Sequence, residues 1–273
     1  MTQPLVTILV PHYKTLELTK LCLRLLRKYT DLNKARVIVI DNDSQDESLS
    51  YLRSLNWIQL MERKAVPGES PPLSHGRALD MGLAMVTTPY VLSIHTDTLV
   101  KHPKWLEFLL TQIEKNPSIA GVGSWKLEAK PRWRQMLKMI ERGAQRAYFR
   151  VIGQTQHSLE GVGKNYYYLR SHCALYRTTL LKQYQLHFSD GVGEELVVGK
   201  EIHKRLLEAG HEIIFLPSEI LIRYLEHINH ATMVLNPQLG SRQKSIDKGL
   251  RRIERSLACL NAQAILQDGS LDA

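Results

Sequence analysis

Two polar clusters in this chain carry residue types that can do chemistry. Asp41-Asn42-Asp43-Ser44-Gln45-Asp46 follows the apolar run Val37–Ile40, and His95-Thr96-Asp97 follows Tyr90–Ile94. A carboxylate at a strand end, such as Asp41, can accept hydrogen bonds from a nucleobase N–H or a ribose hydroxyl. The same loop can instead form an Asx-type turn that caps the next helix. In the second cluster an imidazole and a carboxylate two residues apart can hold a divalent cation against a diphosphate. Oxygen ligands suit Mg2+ or Mn2+, and an imidazole in the set favours Mn2+. The alternative is a surface turn in which Asp97 caps Leu99–Val100.

The elements around these clusters alternate between two periods. Val6–Val10, Val37–Ile40, Ile58–Met61, Tyr90–Ile94 and Ile119–Ser124 read as short buried strands. Between them Leu16–Tyr29, Ser48–Leu55, Gly76–Met85 and Lys104–Lys115 carry apolar residues at helical spacing, with a Pro- and Gly-rich loop from Val66 to Ser74. This alternation predicts an α/β fold, a mostly parallel sheet with helices on both faces. Ligands of such sheets sit outside the carboxyl ends of the strands, where both polar clusters fall. Further on, Tyr166–Tyr176 reads as extended, Gly199–Ala209 as a helix stopped by Gly210, and Ile213–Leu216 and Glu219–Leu225 as strands around Pro217.

With these elements in order, a family resemblance emerges. Val6–Val10 leading into Pro11-His12-Tyr13, then VIVIDNDSQDES (37–48) and HGRALDMGLAMVTTPYVLSIHTDTLV (75–100), resembles the nucleotide-binding half of the family 2 glycosyltransferases, which have the GT-A, Rossmann-like fold. The resemblance is good over residues 5–125 and looser beyond. It implies that Pro11 and Tyr13 line a base pocket, that Asp41 contacts the base with Asp43 beside it, and that 95–97 stands where the family has an Asp-x-Asp motif for metal and diphosphate. Here His95 replaces the first acid and Asp97 remains, with Thr96 between them. Asp97 is therefore the expected ligand of Mn2+ or Mg2+, Mn2+ preferred; His95 joins it or pairs with a phosphate. Arg77 is expected at the diphosphate. By the same resemblance, the base for an inverting hexosyl transfer is Glu194 or Glu195 with Asp190 behind, although counting back from Arg205 and Gly210 points nearer Val198–Glu201. The competing role for the acid pair is at a helix N-terminus. A histidine late in the family completes the metal site, which points to His227 first and His230 second.

Composition bounds the rest. The 273 residues are 44% hydrophobic and 23% charged, ordinary for a globular protein, and the net charge is +9. The excess suits phosphate-bearing ligands, an anionic membrane surface or nucleic acid. Lys126–Arg150 interleaves Trp133, Tyr148 and Phe149 with arginines, the pattern of an interfacial helix or of a core helix with a solvated basic face. No nucleic-acid motif accompanies it. A nucleotidyltransferase is disfavoured because no Gly-rich, basic loop follows Val10. Three scattered cysteines, no basic apolar leader and no apolar window of about 18 residues predict a cytoplasmic protein, membrane-associated at most. The expected organisation is a GT-A domain over 1–236, with nucleotide-binding (1–125) and acceptor (126–236) halves, and a basic helical extension over 237–273. The expected partners are a UDP-, GDP- or dTDP-sugar and a saccharide or lipid-linked acceptor, in polysaccharide or glycolipid synthesis. The competing functions are a sugar-nucleotide-binding pseudoenzyme and a basic membrane-peripheral scaffold.

Overall fold

The computed structural model describes residues 3–127, 165–193, 197–228 and 260–273, with 140–141, 143–144, 148, 161, 250–251 and 253–258. The first half is built as its periodicity predicts. The strands are β1 (Val6–His12), β2 (Ala35–Asn42), β3 (Gln59–Arg63) and β4 (Tyr90–Ile94). Helices α1 (Leu16–Tyr29), α2 (Glu47–Ser54) and α3 (Pro71–Ala84) join them. All seven residues of β1 are buried, as expected of a central strand covered on both faces. Helix α1 follows two left-handed residues, Lys14 and Thr15, and buries Leu18, Leu21, Cys22, Leu25 and Leu26 along one stripe. Helix α3 begins at Pro71, five residues before the predicted start at Gly76. Prolines in a first helical turn forfeit only N–H groups that have no intrahelical partner.

The remaining elements are β5 (Thr98–Val100), α4 (Trp105–Ile113), β6 (Ile119–Gly123), β7 (Cys173–Arg177), α5 (Thr178–Gln183), α6 (Lys200–Glu208), β8 (Glu212–Phe215), α7 (Ser218–Leu221), β9 (Leu225–His227) and α8 (Ala262–Gln267). The main sheet runs β3-β2-β1-β4-β7-β6-β8, parallel throughout except for β7, which is antiparallel to both its neighbours. A small second sheet pairs β5 with β9. The sheet is thus the predicted α/β, mostly parallel one.

Residues 173–176 of the region expected to be extended belong to β7 (Cys173–Arg177). One expectation is corrected. Glu219–Leu225 is not a strand: Pro217 caps the short helix α7, a turn follows, and the chain becomes extended only at Leu225. Apolar runs of this length do not distinguish the two states.

Hydrophobic clusters fill both faces of the sheet. One packs α1 and α4 against Val6, Ile8, Val10, Val37 and Val39; the other packs α3, α5 and α6 against Leu9, Ile38, Ile40 and Tyr176. Ile253, Ala262 and Ile265 join the first cluster. Buried Arg24 in α1 holds the C-terminal segment by a bidentate pair with Asp272 and by the carbonyls of Ile265 and Leu266. Of the expected basic helical extension over 237–273, residues 250–251 and 253–258 and helix α8 are helical, and the 236/237 boundary lies outside the described residues. Among the described residues no helix is long and apolar enough to cross a membrane. Of the basic aromatic segment, Ile140 and Tyr148 are exposed, while Trp133 and Phe149 lie outside the described residues.

Candidate functional site

The site forms where β4 ends. Beyond Ile94 the chain turns, with the Thr98 N–H donating to the His95 carbonyl, and re-enters as β5. Strand β9 pairs with β5 in the register Thr98↔His227, and the Ile228 N–H donates to the Asp97 carbonyl. That register delivers His227 to Asp97: Nε2 lies 3.4 Å from Oδ1. His95 Nδ1 approaches the same oxygen at 3.9 Å. Thr96 and Asp97 are buried. Asp97, His95 and His227 therefore meet, although 130 positions separate His227 from Asp97 in sequence.

Three further residues complete this cluster, none of them marked by a motif in the sequence. Antiparallel β7 pairs Cys173 with Ile94, so the residues just before it lie beside His95. Ser171 Oγ bonds His95 Nε2 at 2.9 Å and His75 Nε2 at 3.3 Å. The His172 ring stacks on His227 at 4.6 Å and bonds Ser124 Oγ at 2.9 Å. Desolvation lowers the His75 pKa to about 4 against the pull of Asp97. It also holds His95 and His172 well below the usual value, with neighbouring imidazoles adding to the effect. A cluster of mostly neutral imidazoles results. The available signals were the Ser-His step before an apolar run and the histidine opening HGRALD, but strand direction decides where both land.

On the other side of β4, Asp41 closes β2 and is 2% exposed. Its Oδ2 accepts the Ser44 N–H at 3.2 Å, the predicted Asx-type turn, while Oδ1 is buried without a hydrogen-bond partner among the described residues. His12 Nε2 stands 3.7 Å from that oxygen. The His12 ring is committed to Ser48 and Thr19, and desolvation lowers its pKa to about 4 despite Asp41. The imidazole nearest Asp41 is thus held towards its neutral form. Asp46, not Asp41, caps α2, accepting the Ser48 N–H at 3.0 Å. Pro11 is buried at the end of β1, Tyr13 is half-buried under Lys14, and Asp43 sits at positive φ holding Gln45.

Arg77 is exposed on α3 and pairs with Glu69, which also takes a bidentate contact from Arg63. Asp190 accepts the His187 N–H at 2.8 Å in a loop that docks on α3. There Asp80 accepts from the backbone N–H groups of Phe188 and Ser189 and from the Ser189 hydroxyl, and Gly76 admits Ser189: a Cβ at 76 would lie 2.9 Å from its Cα. Glu194, Glu195 and His230 lie outside the described residues.

A cavity of about 360 Å3 opens over the cluster, lined by the four histidines, Ser171, Lys126, Arg170, Tyr168 and apolar groups including Leu127 and Val198. Among the described residues no set of three or more His, Cys, Asp and Glu is arranged to hold a metal as it stands. The pair Asp97–His227 nevertheless has the spacing of two adjacent ligands, since bonds of about 2.1 Å at right angles put donors about 3 Å apart. One carboxylate and one or two neutral imidazoles make a set that Mn2+ accepts better than Mg2+.

The model of the glycosyl transferase family 2 matches residues 7–185. A curated relative from Haemophilus influenzae, described as an uncharacterized glycosyltransferase, is 30% identical over 89 residues, covering 33% of this chain and 27% of that protein. Two solved structures share the fold. One is the mannosyltransferase PcManGT from Pyrobaculum calidifontis in complex with GDP-Man and Mn2+ (TM-score 0.53, 18% identity, 79% of this chain and 55% of that one). The other is S. aureus TarS 1–349 (TM-score 0.52, 16% identity, 93% and 72%). The chain therefore spans about a quarter of the curated relative and just over half of the Pyrobaculum protein.

Proposed function

Because this chain belongs to glycosyl transferase family 2, we propose that it moves a sugar from a nucleotide diphosphate to a hydroxyl acceptor with inversion at the anomeric carbon. The observation that carries the reading is the meeting of Asp97, His227 and His95 at the end of β4, beside a cavity and one strand away from β1 and the Asp41 loop. A divalent cation, Mn2+ before Mg2+, fits against Asp97 and His227, and when bound it neutralises the diphosphate as that group departs. The protein's own part is positional. Asp41 offers an unused carboxylate oxygen to a base N–H, with Pro11, Tyr13 and Asp43 around it. His95 donates an imidazole N–H to a phosphate oxygen, its ring oriented by the bond to Ser171. Thr96, buried, lies within the turn between His95 and Thr98 and is assigned to the same phosphate-binding segment.

The acceptor hydroxyl must lose its proton as it attacks. We assign that role to Glu194, Glu195 or Asp190, which follow in sequence the 188–189 loop that Asp80 anchors to α3. His230 is a second imidazole for the metal. Arg77, engaged by Glu69, reaches a diphosphate only by leaving that carboxylate. The donor is a UDP-, GDP- or dTDP-sugar, and the acceptor a saccharide or lipid-linked one of polysaccharide or glycolipid synthesis.

The test is nucleotide release from a panel of these donors with Mn2+, for wild type, Asp97→Asn and His227→Ala. Release that needs Mn2+ and falls about a hundredfold or more in Asp97→Asn is expected, the scale of losing one charged transition-state contact. A donor that binds but is never consumed, with or without acceptor, would leave a nucleotide-sugar-binding protein in place of an enzyme. The His95 replacement favours that second reading.

A further inference from the structure

We propose that the cavity over the histidine cluster receives the acceptor, and that this acceptor carries a phosphate ester or similar oxyanion held by Arg170 and Lys126. The inference rests on the transfer reading above and adds the acceptor's class to it. The first support is topological. The cavity is walled by residues that follow β4 (His95), precede β7 (Arg170, Ser171, His172), follow β6 (Lys126) and end β9 (His227). Pro72 and His75 of α3 complete the wall, and among the described residues none comes from β1 or from β2, which carries Asp41. In the order β3-β2-β1-β4-β7-β6-β8 the cavity thus lies on the far side of β4 from the proposed base pocket.

The second support is charge. Among the described residues the cavity is lined by two permanent cations, Arg170 and Lys126, and by no aspartate or glutamate. Both sit against Trp125: the Arg170 guanidinium 4.4 Å and the Lys126 ammonium 5.7 Å from the ring centre. The Arg170 N–H to Ser124 carbonyl bond ties the two strand ends together.

The third support is Arg170 itself. Elsewhere, Arg24, Arg53, Arg63 and Arg77 each meet a carboxylate, and Arg177 is spent on backbone carbonyls. Arg170 meets none among the described residues, and its Nε is buried without an acceptor. An oxyanion in the cavity meets the Arg170 guanidinium in the planar geometry that the group matches.

The experiment measures binding of glycerol 3-phosphate, and of glycerol as its uncharged match, by calorimetry on the full chain, with and without saturating nucleotide. Wild type is expected to bind the ester and not glycerol. Arg170→Met and Lys126→Met should each weaken the ester about 10- to 100-fold. Arg170→Lys should retain part of the affinity, and Arg53→Gln, an exposed charge far from the cavity, all of it. Nucleotide affinity, read in the same variants, should not move. Equal binding of ester and glycerol overturns the proposal. So does a parallel loss of nucleotide affinity in Arg170→Met, which would assign the cations to the donor diphosphate. If no nucleotide binds while Arg170-dependent ester binding persists, the transfer reading fails and an anion site remains. Flotation with phosphatidylglycerol against phosphatidylcholine vesicles separates a lipid-borne ester, which binds through Arg170, from a soluble one, which leaves flotation indifferent to Arg170.

Discussion

Replacing Asp41 by Asn separates its two roles, because they predict opposite signs. Asp41 is 2% exposed, spends one oxygen on the Ser44 N–H and leaves the other buried without a partner among the described residues. The nearest group of opposite potential charge, His12, is held neutral by its own desolvation. The fold therefore bears a buried, half-satisfied carboxylate, a burden of about 1–3 kcal/mol. Asn keeps an acceptor for Ser44 and removes the charge, so stability should hold or rise by about 1 kcal/mol, a gain of about 2–4 °C in Tm. Nucleotide binding should move the other way. A base N–H that met a carboxylate now meets an amide N–H, and losing a charge-assisted hydrogen bond of about 1.5–3 kcal/mol weakens the complex about 10- to 150-fold. Calorimetric titration with UDP, GDP and dTDP, alongside thermal melts, reads both quantities. A variant that melts lower and binds nucleotide unchanged would refute the reasoning and leave Asp41 as a turn former alone.

Asp80→Ala strands two backbone N–H groups and one hydroxyl of the 188–189 loop, so a loss of about 2–4 kcal/mol is expected, or about 5–12 °C in Tm; a melt within 2 °C of wild type would contradict it. Gly123→Ala drives a methyl into the Cys173 carbonyl between β6 and β7, where backbone cannot yield cheaply. Its cost should be about 1–3 kcal/mol by urea denaturation, against near-neutrality for an open glycine such as Gly269. Acid should destabilise the fold in a defined window. His12 and His203 are lowered from 6.5 to about 4 by desolvation, so the unfolded chain takes up protons that the native state refuses. Stability present above pH 6.5 is lost as pH falls towards 4, by up to about 1.4 kcal/mol per pH unit per histidine. His12→Gln, keeping a partner for Ser48 and Thr19, should flatten that slope.

The sheet's first half was legible because each strand is a short β-branched run and each helix a periodic stripe, so that α1 falls on its predicted residues. Asp97 and His227 were nameable through a resemblance; what joins them is the pairing of β5 with β9, which no local pattern announces. The Glu219–Leu225 run was misread because three apolar residues after a proline satisfy a strand and a helical turn equally. His75, Ser171 and His172 were missed for a related reason. Their chemistry depends on β7 running backwards, and hydrophobic periodicity carries no direction.

That reversed strand has a consequence for how the protein can change. Parallel strands present their carboxyl ends to the ligand rim, so Asp41 and His95 are bound to the chain order of the first four strands. Strand β7 presents the residues that precede it, fed by a segment that takes no part in β1–β4. Substitutions there can reshape one wall of the cavity while the opposite wall keeps its sequence. The reversal makes the two walls separately variable.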